Sequence, residues 1–209
     1  MDKTKLRQAK AWTEKELAVC ADFWLRNGMD KEHGGVYTCL DRYGRVYSKD
    51  KSVWMQGRCG WIFAYLCHTY GVKKEWLEAS KSCLDFMEKY CINRQADGRM
   101  YFTVTADGKP LRQRRYYFSE AFYAIANAEY YGVTGEKECL ERAKKAYNIY
   151  WDLWHGAKDP TGLGPKTEPE TRSGRAFGLP MIYLNVTSVM LRVDPENKAL
   201  YEERAQGCV

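Results

Sequence analysis

The stretch Trp61-Ile62-Phe63-Ala64-Tyr65-Leu66, closed by Tyr70-Gly71-Val72, decides the fold, because the same plan returns as Phe122-Tyr123-Ala124-Ile125-Ala126-Asn127, closed by Tyr131-Gly132-Val133. Working outward, each copy is preceded by a two-strand pattern with a Gly-containing turn. These are Gly35-Val36-Tyr37 with Asp41-Arg42-Tyr43-Gly44, and Gly98-Arg99-Met100-Tyr101 with Thr105-Ala106-Asp107-Gly108. Each copy is followed by a more polar helix, Glu75 to Cys91 and Glu136 to Trp154. The repeating unit is hairpin, buried helix, outer helix. Units of this kind cannot bury their apolar faces alone, so they stack. In this reading Tyr-Gly-Val ends the buried helix of each unit.

Periodicity and turn residues predict a first helix from Lys3 to about Arg26, ended by Asn27-Gly28, since Gly suits a left-handed cap. Further helices are predicted at about 52–70, 74–91, 118–131 and 136–154. From His155 to Gly174 the chain carries four Gly and prolines at 160, 165 and 169, so a loop stands where a third hairpin is due. A sixth helix follows from Leu179 or Pro180 to Arg192. Asp194-Pro195-Glu196 has the residues of an N-cap and first turn, and the seventh helix it opens is barely begun at Val209. The expectation is an all-α chain with short hairpins between helices, in which the array stops in the middle of a unit.

The 209 residues are enough to bury a sizeable core. Thirty-three Lys and Arg against 27 Asp and Glu give a net charge of +6, spread over polar helix faces, which is poor support for a nucleic-acid partner. The densest basic run, Arg112-Gln113-Arg114-Arg115, reads either as a solvated loop or as the rim of a site for an anionic ligand. No stretch approaches the ~18 apolar residues of a membrane span, and the N-terminus leads into an amphipathic helix rather than a secretory core. The eight cysteines lie singly, without metal spacing, and are expected to be small core residues of a cytosolic protein.

The best candidate for chemistry is Trp54-Met55-Gln56-Gly57-Arg58-Cys59-Gly60-Trp61, where positions 54, 58 and 61 place two indoles and a guanidinium on one helical face. Trp rings stack on apolar sugar faces, and a permanently charged Arg can stabilise an enolate-like oxyanion or bind a carboxylate. The alternative is a Trp-rich packing stripe with Arg58 in a structural ion pair. In the second copy Ser119 stands at the position of Arg58, so Arg58 is not simply a scaffold residue. Glu120 reads as a cavity carboxylate or as the partner of a neighbouring element. Asn185, in an otherwise apolar helix, has to find partners if buried, whether ligand hydroxyls or backbone. His33, His68 and His155 show no spacing for a triad or metal site, and no phosphate loop or dinucleotide fingerprint is present.

These residues resemble the N-terminal half of the N-acylglucosamine 2-epimerase family. The likeness runs through Gly34-Gly35, Gln56-Gly57-Arg58 with Trp61, Phe118-Ser119-Glu120-Ala121-Phe122, Lys166-Thr167-Glu168-Pro169 and Leu179-Pro180-Met181-Ile182-Tyr183-Leu184-Asn185. It implies an (α/α)6 barrel, the six-hairpin toroid, with residues 1–209 forming one partial toroid domain, about half of the barrel. It implies epimerisation at the carbon next to a sugar carbonyl, interconverting N-acyl-D-glucosamine and N-acyl-D-mannosamine. Relatives acting on cellobiose or mannose are alternatives, as are a toroid hydrolase or lyase and a non-catalytic carbohydrate-binding repeat. By resemblance Arg58 is the cavity arginine beside the enediolate oxygen, and Trp54, Trp61, Tyr117, Glu120, Met181 and Asn185 are pocket positions. No metal or redox cofactor is implied, the partner is a small sugar, and a homodimer is compatible with the family. Family members take their acid/base histidines from the second half of the barrel, so this chain alone is expected to be an incomplete site.

Overall fold

A computed structural model describes residues 2–114, 116–164, 168, 170–172, 174 and 177–209. Arg115, Pro165 and, from the family motif at 166–169, Lys166, Thr167 and Pro169 lie outside the described residues.

Helix α1 (Lys3–Asn27) starts where the Asp2 carboxylate accepts the backbone N–H of Thr4 at 2.9 Å. Three helix pairs follow: α2 (Val53–Tyr70) with α3 (Lys74–Tyr90), α4 (Phe118–Thr134) with α5 (Lys137–Trp154), and α6 (Gly178–Val193) with α7 (Lys198–Gln206). The inner helices α2, α4 and α6 lie side by side, and each carries its pair partner on the outside. Before α2 stand β1 (Cys39–Leu40), β2 (Val46–Ser48) and β3 (Lys51–Ser52), and before α4 stand β4 (Tyr101–Val104) and β5 (Pro110–Gln113). The turns fall where expected, with Gly44 and Gly108 at φ of 85° and 88°. Val36 and Tyr37, however, precede the first hairpin, and Val36 only bridges back to Met29. β3 was not expected: it pairs with β4, Lys51 opposite Val104, and so ties the first unit to the second in a three-stranded sheet. Among the described residues of the 155–177 segment no strand forms.

The inner helices are close because their contact positions are small. Every residue of α4 from Ser119 to Tyr130 is buried, four of them alanine. Gly57 of α2 approaches α4 so closely that a Cβ there would lie 2.6 Å from both Cβ and O of Phe122. Gly57→Ala is therefore expected to push α2 from α4 and cost about 3 kcal/mol in urea melts.

The repeat is real, but its register differs from the one marked by Tyr-Gly-Val. Gln56 Oε1 accepts the backbone N–H of Val36 at 2.8 Å, and Glu120 Oε1 accepts that of Met100 at 3.0 Å, each 20 residues along the chain. The interval from Gln56 to Gly71 equals that from Glu120 to Gly135, and both glycines end their helices at positive φ, 93° and 73°. Gly132 instead lies inside α4, where it meets Val193. In the true register the counterpart of Arg58 is Phe122, and the correspondence with Ser119 is withdrawn.

Several other expectations change. Asp194 and Pro195 do stand at the N-cap and first position, but of a 3-10 turn (Pro195–Asn197) that leads into α7; the Asp194 carboxylate makes no cap hydrogen bond and takes Tyr201 Oη at 2.6 Å and Asn197 Nδ2 at 2.9 Å instead, and α7 runs on to Gln206. Cys67, Cys83, Cys91 and Cys139 are core residues, whereas Cys20 is exposed and Cys39, Cys59 and Cys208 are half-buried.

The first unit is locked by a buried ion pair, Lys51 Nζ to Asp30 Oδ2 at 2.7 Å, with Lys51 also donating to the Gly34 carbonyl at 2.7 Å. Burial pushes the Asp30 carboxyl up, but the Lys51 hydrogen bond and the N–H groups of Glu32 and His33 outweigh it and hold it below the ordinary 3.8. A carboxyl depressed in the folded state contributes stability that is complete above its unfolded value and is lost as pH falls through the folded one. Melting temperature is thus expected to fall below about pH 4. Asp30→Asn should cost about 3 kcal/mol at pH 7 and flatten that acid limb, as read by thermal melts across pH.

Candidate active site

The open side of the α2–α4–α6 arc, roofed in part by α1, forms a groove of about 480 Å³ lined by Leu17, Trp24, Arg58, Trp61, Phe122 and Asn185 among others. Three of the residues singled out in the sequence therefore meet: Arg58 and Trp61 from α2, and Asn185 from α6. Arg58 is exposed, and its guanidinium carbon lies 4.3 Å from the centre of the Phe122 ring. Among the described residues it has no hydrogen bond and no ion pair, so the alternative of a structural ion pair is overturned. The groove thus holds a permanent cation resting on an aromatic face, with its donor fork uncommitted.

Asn185 is exposed rather than buried, because α6 has no neighbour among the described residues on that side. Trp61 is half-buried; its indole stacks on Tyr65 at 5.3 Å and 23°, and its Nε1 donates to Glu129 Oε2 at 3.2 Å. An indole beside a free guanidinium can present a π-face to the C–H side of a sugar while the cation meets an oxygen.

The other expected pocket positions stand elsewhere. Trp54 shares the helical face of Arg58, but the hairpin covers it: Phe102 of β4 packs edge-on at 4.9 Å, and Trp54 Nε1 donates to Ser119 Oγ at 3.1 Å. Tyr117 turns outward, its hydroxyl donating to the Leu153 carbonyl at 3.3 Å, and burial raises its pKa. Met181 is 48% exposed on the first turn of α6, outside the groove lining. Glu120 is 2% exposed and receives Arg99 Nε at 2.7 Å, so it is the partner of a neighbouring element. Arg99 also binds Asp159 Oδ1 at 2.9 Å and thereby ties the segment after α5 to the start of α4. Burial disfavours the Arg99 charge, but the two carboxylates more than compensate and hold its pKa above the ordinary arginine value. In the basic run, Arg112 and Arg114 lie over the Phe102 ring at 5.9 and 4.3 Å.

Sequence reasoning passed over Glu129 and Arg192. Glu129 is fully buried on α4, where Arg192 of α6 and the Trp61 indole both bind Oε2, and His68 Nδ1 stands 3.5 Å from Oε1. Burial raises the Glu129 pKa. The available signal was an acidic residue in the interior of a mostly apolar helix. Of the three histidines, His68 thus faces a buried carboxylate, while His33 Nε2 lies 3.6 Å from Glu32 Oε1 and the His155 ring lies tilted over Trp151, their centres 3.7 Å apart. Among the described residues no helix is long and apolar enough to cross a membrane.

Residues 35–207 match the family model described as N-acylglucosamine 2-epimerase. Over 92% of its length the chain is 33% identical to the N-acylglucosamine 2-epimerase of Rattus norvegicus, and over 95% it is 32% identical to that of Homo sapiens. The aligned parts make up 46% and 47% of those proteins, so the chain spans about half the length of the curated relatives it matches. Its fold resembles that of the cellobiose 2-epimerase from Spirochaeta thermophila, with a TM-score of 0.80 at 22% identity, over 99% of this chain and 53% of that one. The arc of helix pairs is therefore a partial (α/α) toroid. With the matched model running from the Gly35 turn to α7, through the groove that holds Arg58, the chain belongs to the N-acylglucosamine 2-epimerase family.

Proposed function

We propose that this chain supplies the arginine-bearing part of the sugar pocket of a carbohydrate 2-epimerase acting on N-acyl-D-glucosamine and N-acyl-D-mannosamine. The observation that carries the reading is Arg58: a cation without a carboxylate partner among the described residues, in a groove beside an indole and an amide. In such a reaction a base removes the C2 proton of the open-chain aldehyde, the electron pair moves onto the carbonyl oxygen to give an enediolate, and a proton returns to the opposite face. Arg58 would meet the oxygen on which charge develops, Trp61 would carry the sugar's apolar face, and Asn185 would donate to a hydroxyl. Residues 1–209 would act as one partial toroid domain, with the acid/base pair supplied by the remaining part of a family-length barrel. A cytoplasmic location fits eight cysteines that form no disulfide.

The hydrolase alternative needs a pair of available carboxylates at inner-helix ends, and Glu120 is committed to Arg99. The test is a substrate panel. Residues 1–209 are joined to the unmatched remainder of the rat relative, and deuterium incorporation at C2 is followed in D2O with N-acetyl-D-mannosamine, cellobiose and D-mannose. Incorporation into N-acetyl-D-mannosamine is expected, with little into the other two. A cooperatively melting fusion that labels cellobiose or mannose instead overturns the substrate assignment.

A further inference from the structure

We propose that Glu129 is a positioning residue, holding Trp61 in the orientation in which its free face lines the groove. Two contacts fix this indole, and a third holds the carboxylate. Tyr65 covers one face, Glu129 Oε2 takes the Nε1 proton, and Arg192, which also lies over Tyr65 at 5.7 Å, grips the same carboxylate oxygen from α6. The other oxygen, Oε1, has no hydrogen-bond partner among the described residues and faces His68 Nδ1 at 3.5 Å. Two apolar side chains would join α2 to α4 with far less desolvation than a fully buried carboxylate. The carboxylate instead supplies direction: a donor pinned at its edge and stacked on one face has a single surface left to present. That surface lies one helical turn from Arg58, so Glu129 sets the angle between the aromatic platform and the cation. The effect on sugar binding rests on the function proposed above; the effect on the indole does not.

The experiment uses the 209-residue chain, uniformly 15N-labelled, in which each of the seven tryptophans gives an indole N–H signal. Trp61→Phe assigns the Trp61 signal. Glu129→Met keeps the side-chain volume and removes the acceptor, whereas Glu129→Gln keeps an acceptor. The Trp61 signal is expected to move toward that of a water-exposed indole in Glu129→Met and to stay near its wild-type position in Glu129→Gln, while the other signals hold. A Trp61 signal unmoved in Glu129→Met, or displaced equally in both variants, overturns the proposal. If Glu129→Met does not fold, hydrogen exchange of the wild-type indoles decides: Trp61 should exchange more slowly than Trp12, which is 65% exposed, and an equal rate overturns the proposal.

Adding N-acetyl-D-mannosamine should then shift the Trp61 signal, with an apparent affinity about ten-fold weaker in Glu129→Met and largely restored in Glu129→Gln. A Trp61 signal that responds to Glu129 but to no sugar would sustain the positioning role and count against the sugar pocket.

Discussion

Replacing Arg58 with alanine is expected to lower exchange of the sugar C2 proton by about 10²–10³-fold, the usual loss when one preorganised oxyanion donor is removed. Stability should change by no more than about 1 kcal/mol, because the Phe122 ring is the contact that Arg58 gives up. The two effects separate because, among the described residues, the guanidinium makes no hydrogen bond or ion pair and only rests on the Phe122 ring while facing the groove. Negative charge develops on the sugar oxygen only as the C2 proton leaves, so the loss should fall mainly on kcat rather than KM. Arg58→Lys keeps the charge without the planar fork and should lie between the two. Steady-state kinetics on the fusion with the rat remainder, with melting curves on the same preparations, checks these expectations.

The largest effect on stability is expected at Arg99. Arg99→Met should cost about 4–5 kcal/mol in urea melts, because Glu120 would remain buried with only the Met100 N–H and without a counter-charge. The same change frees Asp159, whose carboxylate anchors the segment after α5, so proteolysis at 157–164 should accelerate in step with the lost stability. Adding Glu120→Gln to Arg99→Met should recover more than half of the loss, since the uncompensated charge is then removed. A double variant no more stable than the single one would show that the arginine acts through packing.

The helix pairs were legible because inner and outer helices differ in composition. The run from Phe118 to Tyr130 is apolar or small at every position but Glu120, Asn127 and Glu129, whereas α3 and α5 alternate buried and charged positions, and a helix surrounded by protein cannot carry that alternation. The register of the repeat was not legible. Tyr131-Gly132-Val133 copies the letters of the first helix end, but the cap requires a left-handed residue, and Gly135 takes that role. The pair that marks the true register, Gln56 and Glu120, differs in residue type and shares only its hydrogen bond to the backbone 20 residues upstream.

The candidate site was legible in part for the same reason. Arg58, Trp61 and Asn185 do meet in one groove, as helical spacing and the resemblance led one to expect for Arg58, although the added comparison with Ser119 set it against a residue that is not its counterpart. Helical spacing put Trp54 on the same face but could not show that Phe102 would cover it, since strand pairing decides where that ring lies. Glu120 and Glu129 look alike in sequence, as the two acids of an otherwise mostly apolar α4. Their partners separate them: Arg99, from the same unit, ties the first to a loop, and Trp61 with Arg192, from the neighbouring units, ties the second to the groove.

In the proposed function the sugar's reacting end lies in the Arg58 groove. Deuterium incorporation at C2 of N-acetyl-D-mannosamine tests it most directly, measured side by side on the fusion with the rat remainder and on its Arg58→Ala variant, both shown to melt cooperatively. Incorporation is expected by the first, about 10²–10³-fold less by the second, and none by residues 1–209 alone. Equal incorporation with and without Arg58, or none by the folded fusion with Arg58 intact, would contradict it.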